Sequence, residues 1–301
     1  MVIDVWPPIA PTAELMQHVQ DNFPEEMLGY LRGFYKVNGL SLNTARKLMG
    51  RIGAFFSFEQ FMDSLDAAGI SNCCLSGFDE RSSVGAPFVP TEMVAPIIQK
   101  YPHRFIGFAG VDPLRGMPAV RELEMWVRTY GFRGVSFRPF MIGYPPNHRK
   151  YYPFYAKCVE LNILVSIHAS GSWSASRVAD VGHPRYIDEV AVDFPELKII
   201  VSHAGFPWVL EATILAWRHP NVYLDLAAHR SKYYDQPGSG WLPLLNYGQT
   251  TVRDKILFGS GWLLLGKQPV RILEEFRALP VKPEVLNAWL HDNAARLFSL
   301  Q

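Results

Sequence analysis

The chain has 301 residues, 49% of them hydrophobic and 19% charged, with a formal net charge of +1. That balance, without basic blocks or charged tails, excludes an electrostatic binder of nucleic acid or of a membrane surface. No apolar run reaches the roughly 18 residues that a bilayer-spanning helix needs, and the length allows one large core.

Short apolar runs rich in β-branched or aromatic residues recur with helical patterns between them, as repeated βα units require. The first strand is predicted over 2–6, Val2-Ile3-Asp4-Val5-Trp6, and runs into Pro7 and Pro8. Residues 11–55 then carry helical patterns from Glu25 to Tyr35 and from Leu42 to Met49. An interval of roughly fifty residues before the next regular helix is far longer than a usual barrel loop. It reads either as a cap or lid over the substrate site or as a dimerisation or packing insertion. Phe58, Phe61, Met62 and Leu65 give the helix from Phe58 to Ala68 its apolar stripe. Further strands are predicted over 69–75, 104–111, 134–139, 164–169, 198–204, 222–227 and 256–260. Helices fall between them from Ala119 to Tyr130, Lys150 to Leu161 and Pro207 to Arg218. A last helix, Pro283 to Leu297, opens on proline in a favoured first-turn position. Composition does not break anywhere, so a single domain over 1–301 is expected. Cys73, Cys74 and Cys158 have neither disulfide nor zinc spacing. With an N-terminus that enters a strand at once, they lead to the expectation of a cytoplasmic protein.

Six segments, in order, carry a resemblance. They are Gly131-Phe132-Arg133-Gly134-Val135, Val165-Ser166-Ile167-His168, and Leu197-Lys198-Ile199-Ile200-Val201-Ser202-His203-Ala204-Gly205. Asn221-Val222-Tyr223-Leu224-Asp225-Leu226, Ile256-Leu257-Phe258-Gly259-Ser260-Gly261-Trp262 and Asn293-Ala294-Ala295-Arg296-Leu297-Phe298 follow. Together they resemble the amidohydrolase-related family, the branch with the aminocarboxymuconate-semialdehyde and γ-resorcylate decarboxylases and the pyrone-dicarboxylate lactonase. The resemblance implies an α/β fold, a (β/α)8 TIM barrel with a long insertion after strand 1. It also implies a metal at the barrel mouth, held by a His-X-His pair on strand one, histidines on strands five and six, and an aspartate on strand eight. His168 and His203 match strands five and six. Trp6, Pro8 and Gly261 stand at the other positions.

Indole offers only a donor, and proline and glycine side chains offer nothing to a cation. A catalytic zinc needs about three protein ligands. The expectation is therefore no cofactor; a divalent ion such as zinc, if present, would be held weakly through His168 and His203, with Asp4 or His229 completing the set. The two histidines are predicted to be catalytic acid/base groups, since imidazole exchanges protons near neutral pH; the alternative is that they are structural relics. Arg138 is a candidate carboxylate or enolate clamp or an ion-pair partner. Trp6, Ser170, Trp173, His229 and Arg230 are further substrate-binding candidates, Arg177 a weaker one, and Phe140, Tyr144 and Trp262 possible additions to an apolar wall. Asp225 reads as an orienting or barrel-pairing residue, and Cys73 and Cys74 as core.

These residues predict a metal-independent hydrolase or lyase acting on a small cyclic or unsaturated carboxylate or carbonyl compound. Ester or lactone hydrolysis and decarboxylation both fit. Two alternatives stand beside it: a non-catalytic barrel that binds a ligand or a protein, and a metal-dependent enzyme with substitute ligands. The expected partner is a small molecule, neither nucleic acid nor membrane, with a homodimer suggested by the resemblance.

Overall fold

The computed structural model describes residues 1–6, 9–37, 41 and 57–300. Its centre is a sheet of eight strands in sequence order: β1 (Val2–Asp4), β2 (Ile70–Ser76), β3 (Phe105–Gly110), β4 (Gly134–Phe137), β5 (Leu164–His168), β6 (Ile199–Ser202), β7 (Val222–Asp225) and β8 (Ile256–Leu257). Each pairs in parallel with the next. Helices alternate with the strands, and the chain is a (β/α)8 barrel. Every predicted strand is found in its place.

The barrel closes between β8 and β1 by loop contacts rather than a regular ladder. Val5 N–H donates to the Phe258 carbonyl at 2.9 Å and Gly261 N–H to the Trp6 carbonyl at 3.1 Å. Between them lies Asp4, fully buried. It accepts from Ser260 N–H at 2.9 Å, from the Ser260 hydroxyl and from Trp6 N–H at 3.1 Å. Asp4 therefore stitches the seam and is not spare for a cation.

Alternation along the strands separates inside from outside. Ile3, Cys74, Ile106, Phe108, Leu164, Ile200 and Leu257 form one cluster, closed by Leu297 and Phe298 from the last helix. Val165, Ile167, Ile199 and Val201 belong to the larger cluster under the surrounding helices. His168 is in phase with Leu164 and Ser166, so β5 aims it inward at the C-terminal end, where barrels of this kind place their chemistry.

Two helices of the long insertion are described, α1 (Ala13–Asp21) and α2 (Glu25–Val37). The pattern predicted over 42–49 lies outside the described residues. Met27, Tyr30, Leu31, Phe34 and Tyr35 put the buried face of α2 on the barrel. Its close approach depends on Gly33, where a Cβ would come within 2.2 Å of the Trp173 carbonyl oxygen, in the loop after β5. The next helix, α3 (Phe58–Ala67), starts at a capping box made by Ser57 and Gln60. The last predicted helix forms as Pro283–Asn287 and Asn293–Leu297, joined through a π-helical turn at Ala288–Asp292.

Candidate active site

His168 and His203 meet at the mouth, with ring centroids 4.7 Å apart and planes at 70°. Both are buried. The register pairs His168 with Ser202, so His203 lies one residue further up the neighbouring strand. At that point the chain turns sharply: His203 and Ala204 have φ values of 61° and 45°, in the left-handed region. Such positions cost about 1–3 kcal/mol each in non-glycine residues and persist where surrounding bonds enforce them. Here Asp225 supplies them. Its Oδ1 accepts from His203 N–H at 2.9 Å and from Ala227 N–H at 3.0 Å. The Ala227 carbonyl lies 3.0 Å from His203 Nδ1. As only a nitrogen bearing hydrogen can donate to a carbonyl, this contact places the proton on Nδ1 and leaves the Nε2 lone pair free to act as a base.

His168 Nε2 lies between two hydroxyls, Tyr30 OH and Ser170 Oγ, each at 3.3 Å. Phe140 packs against the ring at 4.6 Å and also stacks on Tyr30 at 4.5 Å. Trp6 meets His203 edge-on at 5.0 Å, at the position where the resemblance implies a metal ligand. His229 lies 6.2 Å from His203, packed on Phe206 at 4.5 Å and Trp241 at 5.2 Å. Trp173 is more remote, 6.5 Å from Phe206, and lines an outer cavity of about 680 Å³ together with Arg32, Lys36 and Arg177. That cavity does not include the histidine pair.

The arginines differ from expectation. Arg138 is buried, with Nε and Nη2 bound to Glu80 at 2.6 and 2.7 Å and its guanidinium over Phe78 and Phe88 at 4.2 and 5.0 Å. An open bidentate clamp for a substrate carboxylate is not what the structure presents, because Glu80 already fills the fork. Arg230 is likewise held by Glu275, through Nε at 2.7 Å and through Nη2, and Arg177 lies 3.4 Å from Glu26. Tyr144 stacks on His148 and Trp262 on Phe61, so of the three extra aromatic candidates only Phe140 joins the wall around the histidines. Tyr30, Glu80, Phe206 and Trp241 were not legible as site residues; Tyr30 alone had a signal, its phase on the buried face of α2.

Burial governs the protonation states. It holds His168 well below the ordinary imidazole value of 6.5, helped by the positive fields of His203 and Arg138. His203 is lowered by burial against the opposing charge of Asp225, and His229 is lowered by burial to about 3. All three rings are neutral at pH 7. Burial also raises Asp4 from 3.8 to about 6, against its bonds to Ser260 and Trp6, and raises Glu80 against Arg138. The thiols of Cys73 and Cys74 are pushed well up by burial, which leaves them as core groups.

The signs of these shifts predict acid sensitivity. An imidazole neutral when folded but protonated when unfolded withdraws stability as pH falls below 6.5, by up to about 1.4 kcal/mol per pH unit per ring. Raised carboxyls do the reverse: Asp4 withdraws stability as pH rises through 3.8 to about 6. Three imidazoles outweigh two carboxyls, so unfolding free energy should fall as pH drops from 6.5 towards 5. Urea titrations across that range should show it, with a shallower slope in His229→Phe; stability that rises on acidification would contradict the assignment.

The donor set is a poor fit to the metal that the resemblance implies. Trp6 and Gly261 provide no ligand, Asp4 is committed to the seam, and His168 Nε2 is flanked by hydroxyls. Among the described residues no group of three or more His, Cys, Asp and Glu is arranged to hold an ion. Residues 38–56 contain none of these residue types.

Fold and site together define a (β/α)8-barrel protein with a buried histidine pair at the mouth. The chain belongs to the amidohydrolase family, which it matches over residues 62–300. The match leaves out β1 and the whole of the insertion, where Trp6 and Tyr30 stand. A 2-keto-4-carboxy-3-hexenedioate hydratase from Sphingobium is 30% identical over a stretch covering 42% of this chain; the chain spans 46% of that relative's length. An uncharacterised TIM-barrel protein from Bordetella bronchiseptica superposes with a TM-score of 0.76 at 24% identity, covering 99% of this chain and 98% of that one. A 5-carboxyvanillate decarboxylase from Novosphingobium aromaticivorans, crystallised with manganese and 4-hydroxy-3-methoxy-5-nitrobenzoic acid, gives 0.70 at 18% identity, covering 100% and 96%. These two structures share the fold. No helix among the described residues is long and apolar enough to cross a membrane.

Proposed function

We propose that this protein is a lyase or hydrolase that transforms a small, flat, unsaturated carboxylate or carbonyl compound without a bound metal, through proton transfer by His168 and His203. The observation that carries the reading is the pair itself: two neutral, buried imidazoles in contact, enclosed by Trp6, Phe140 and Tyr30. The hydratase and decarboxylase relatives weigh toward a lyase step on a small carboxylate. In a hydration, His203 Nε2 takes a proton from water as the oxygen adds to the electron-poor carbon. The electron pair moves to the conjugated carbonyl oxygen, and the imidazolium returns its proton to the adjacent carbon. In a decarboxylation, His203 Nε2 first takes the proton of the substrate's hydroxyl or carboxylic acid, and the imidazolium returns it to the carbanion left by loss of carbon dioxide. Arg138, balanced by Glu80, contributes its field beside His168 rather than a clamp. Helix α2 lies over the mouth as a substrate-shaping cap, and the protein works as a homodimer.

Two probe acids, 4-oxalomesaconate and 5-carboxyvanillate, with an unsaturated lactone as third, test this reading. Turnover of one of them is expected, with the acid limb of kcat/KM below pH 6.5, because the bases are held neutral by burial. An acid limb at or above 6.5, or no turnover of any, would contradict it.

A further inference from the structure

Tyr30 brings a second chemistry to the mouth. Its hydroxyl is buried, comes from the insertion rather than the barrel, and shares His168 Nε2 with Ser170 at 3.3 Å from each. An imidazole nitrogen has one in-plane position for a hydrogen bond, so two hydroxyls cannot both be satisfied there at once. Ser170 can donate instead to the Tyr30 oxygen, which Trp173 also reaches, whereas the Gly171 carbonyl at 3.5 Å is too long to compete well. Tyr30 is held at the ring by its stack on Phe140 at 4.5 Å and by α2 seated against Trp173 through Gly33. With Ser170 and Trp173 donating to its oxygen, the Tyr30 O–H is polarised and serves as the donor at the reactive end of the barrel. From these contacts we propose that Tyr30 is a catalytic hydrogen-bond donor to the anionic oxygen, enolate or phenolate, that develops on the substrate.

This inference rests on the histidine pair being the reactive centre and adds to it what the missing ligands would have supplied. The phenol donates to the oxygen that gains charge. No bond to Tyr30 is made or broken. Burial raises the Tyr30 phenol to about 12, so it keeps its proton throughout the neutral range. A donor aimed at developing charge in a water-poor site is worth about 10²–10³ in rate.

The test uses 4-nitrophenol, whose ionised form has its own absorption band. Wild-type protein should bind the phenolate in preference to the phenol, so the bound band persists below the pH at which the free probe protonates. Tyr30→Phe, which keeps the ring and its stack, should weaken phenolate binding about tenfold and leave binding of the neutral phenol unchanged. Gly33→Ala, which drives a methyl group into Trp173, should weaken phenolate binding in the same direction. If the wild type shows no preference for the phenolate, or Tyr30→Phe binds it as well as wild type, the proposal is overturned. Loss of turnover in His203→Ala with full turnover in Tyr30→Phe would also reject Tyr30 while leaving the histidine reading intact; full turnover in the histidine variants would instead reject that reading.

Discussion

Replacing His203 with alanine is expected to lower turnover by about 10²–10⁴-fold, the usual contribution of a positioned acid/base group, while the barrel stays folded. The bond that holds this turn in its left-handed conformation runs from the backbone N–H of residue 203 to Asp225, and alanine retains it. What disappears is the Nε2 lone pair that the Ala227 carbonyl orients. His168→Ala should produce a loss of the same order, because it removes the ring against which Tyr30, Ser170, Phe140 and His203 are arranged. Steady-state kinetics on the probe that turns over, with circular dichroism to confirm the fold, measures both. Two active variants would assign the histidines to structure and favour a non-catalytic barrel.

The largest stability effect is expected at Glu80. Arg138 and Glu80 are both buried and bound through two short contacts, under the aromatic faces of Phe78 and Phe88. Glu80→Gln strands a buried guanidinium without its counter-charge and should cost about 3–5 kcal/mol. The pair itself contributes much less, since the desolvation that raises Glu80 outweighs the attraction of Arg138. A double replacement, Glu80→Met with Arg138→Met, should therefore be far closer to wild type than Glu80→Gln. Urea unfolding of the variants forms the cycle. A Glu80→Gln variant within 1 kcal/mol of wild type would mean that water reaches the pair. The same neutralisation makes this arginine a poor substrate clamp, which sequence alone did not reveal because Glu80 lies 58 residues from Arg138.

The barrel was legible because its strands repeat a local pattern: an apolar run, a turn, then a stripe such as Phe61 and Leu65. His168 was legible for the same reason, as strand phase alone points it inward. His203 was legible in position but not in posture; nothing in Ser202-His203-Ala204-Gly205 announces that Asp225 would hold it at positive φ. The arginines marked the limit. A guanidinium on a strand end looks alike whether its partner is a substrate or a carboxylate from another loop, and Arg138, Arg230 and Arg177 all found carboxylates. Tyr30 was out of reach for a related reason: its helix was predicted, but the docking that brings it to His168 depends on Gly33 against the loop after β5.

The imidazoles, and not an ion, are proposed to carry the chemistry. The direct measurement is elemental analysis of the purified protein before and after exhaustive chelation, with turnover followed on the same samples. Less than stoichiometric manganese and zinc, and unchanged turnover after chelation, are expected. One ion per chain, lost together with activity and restored with it by added manganese, would contradict the proposal.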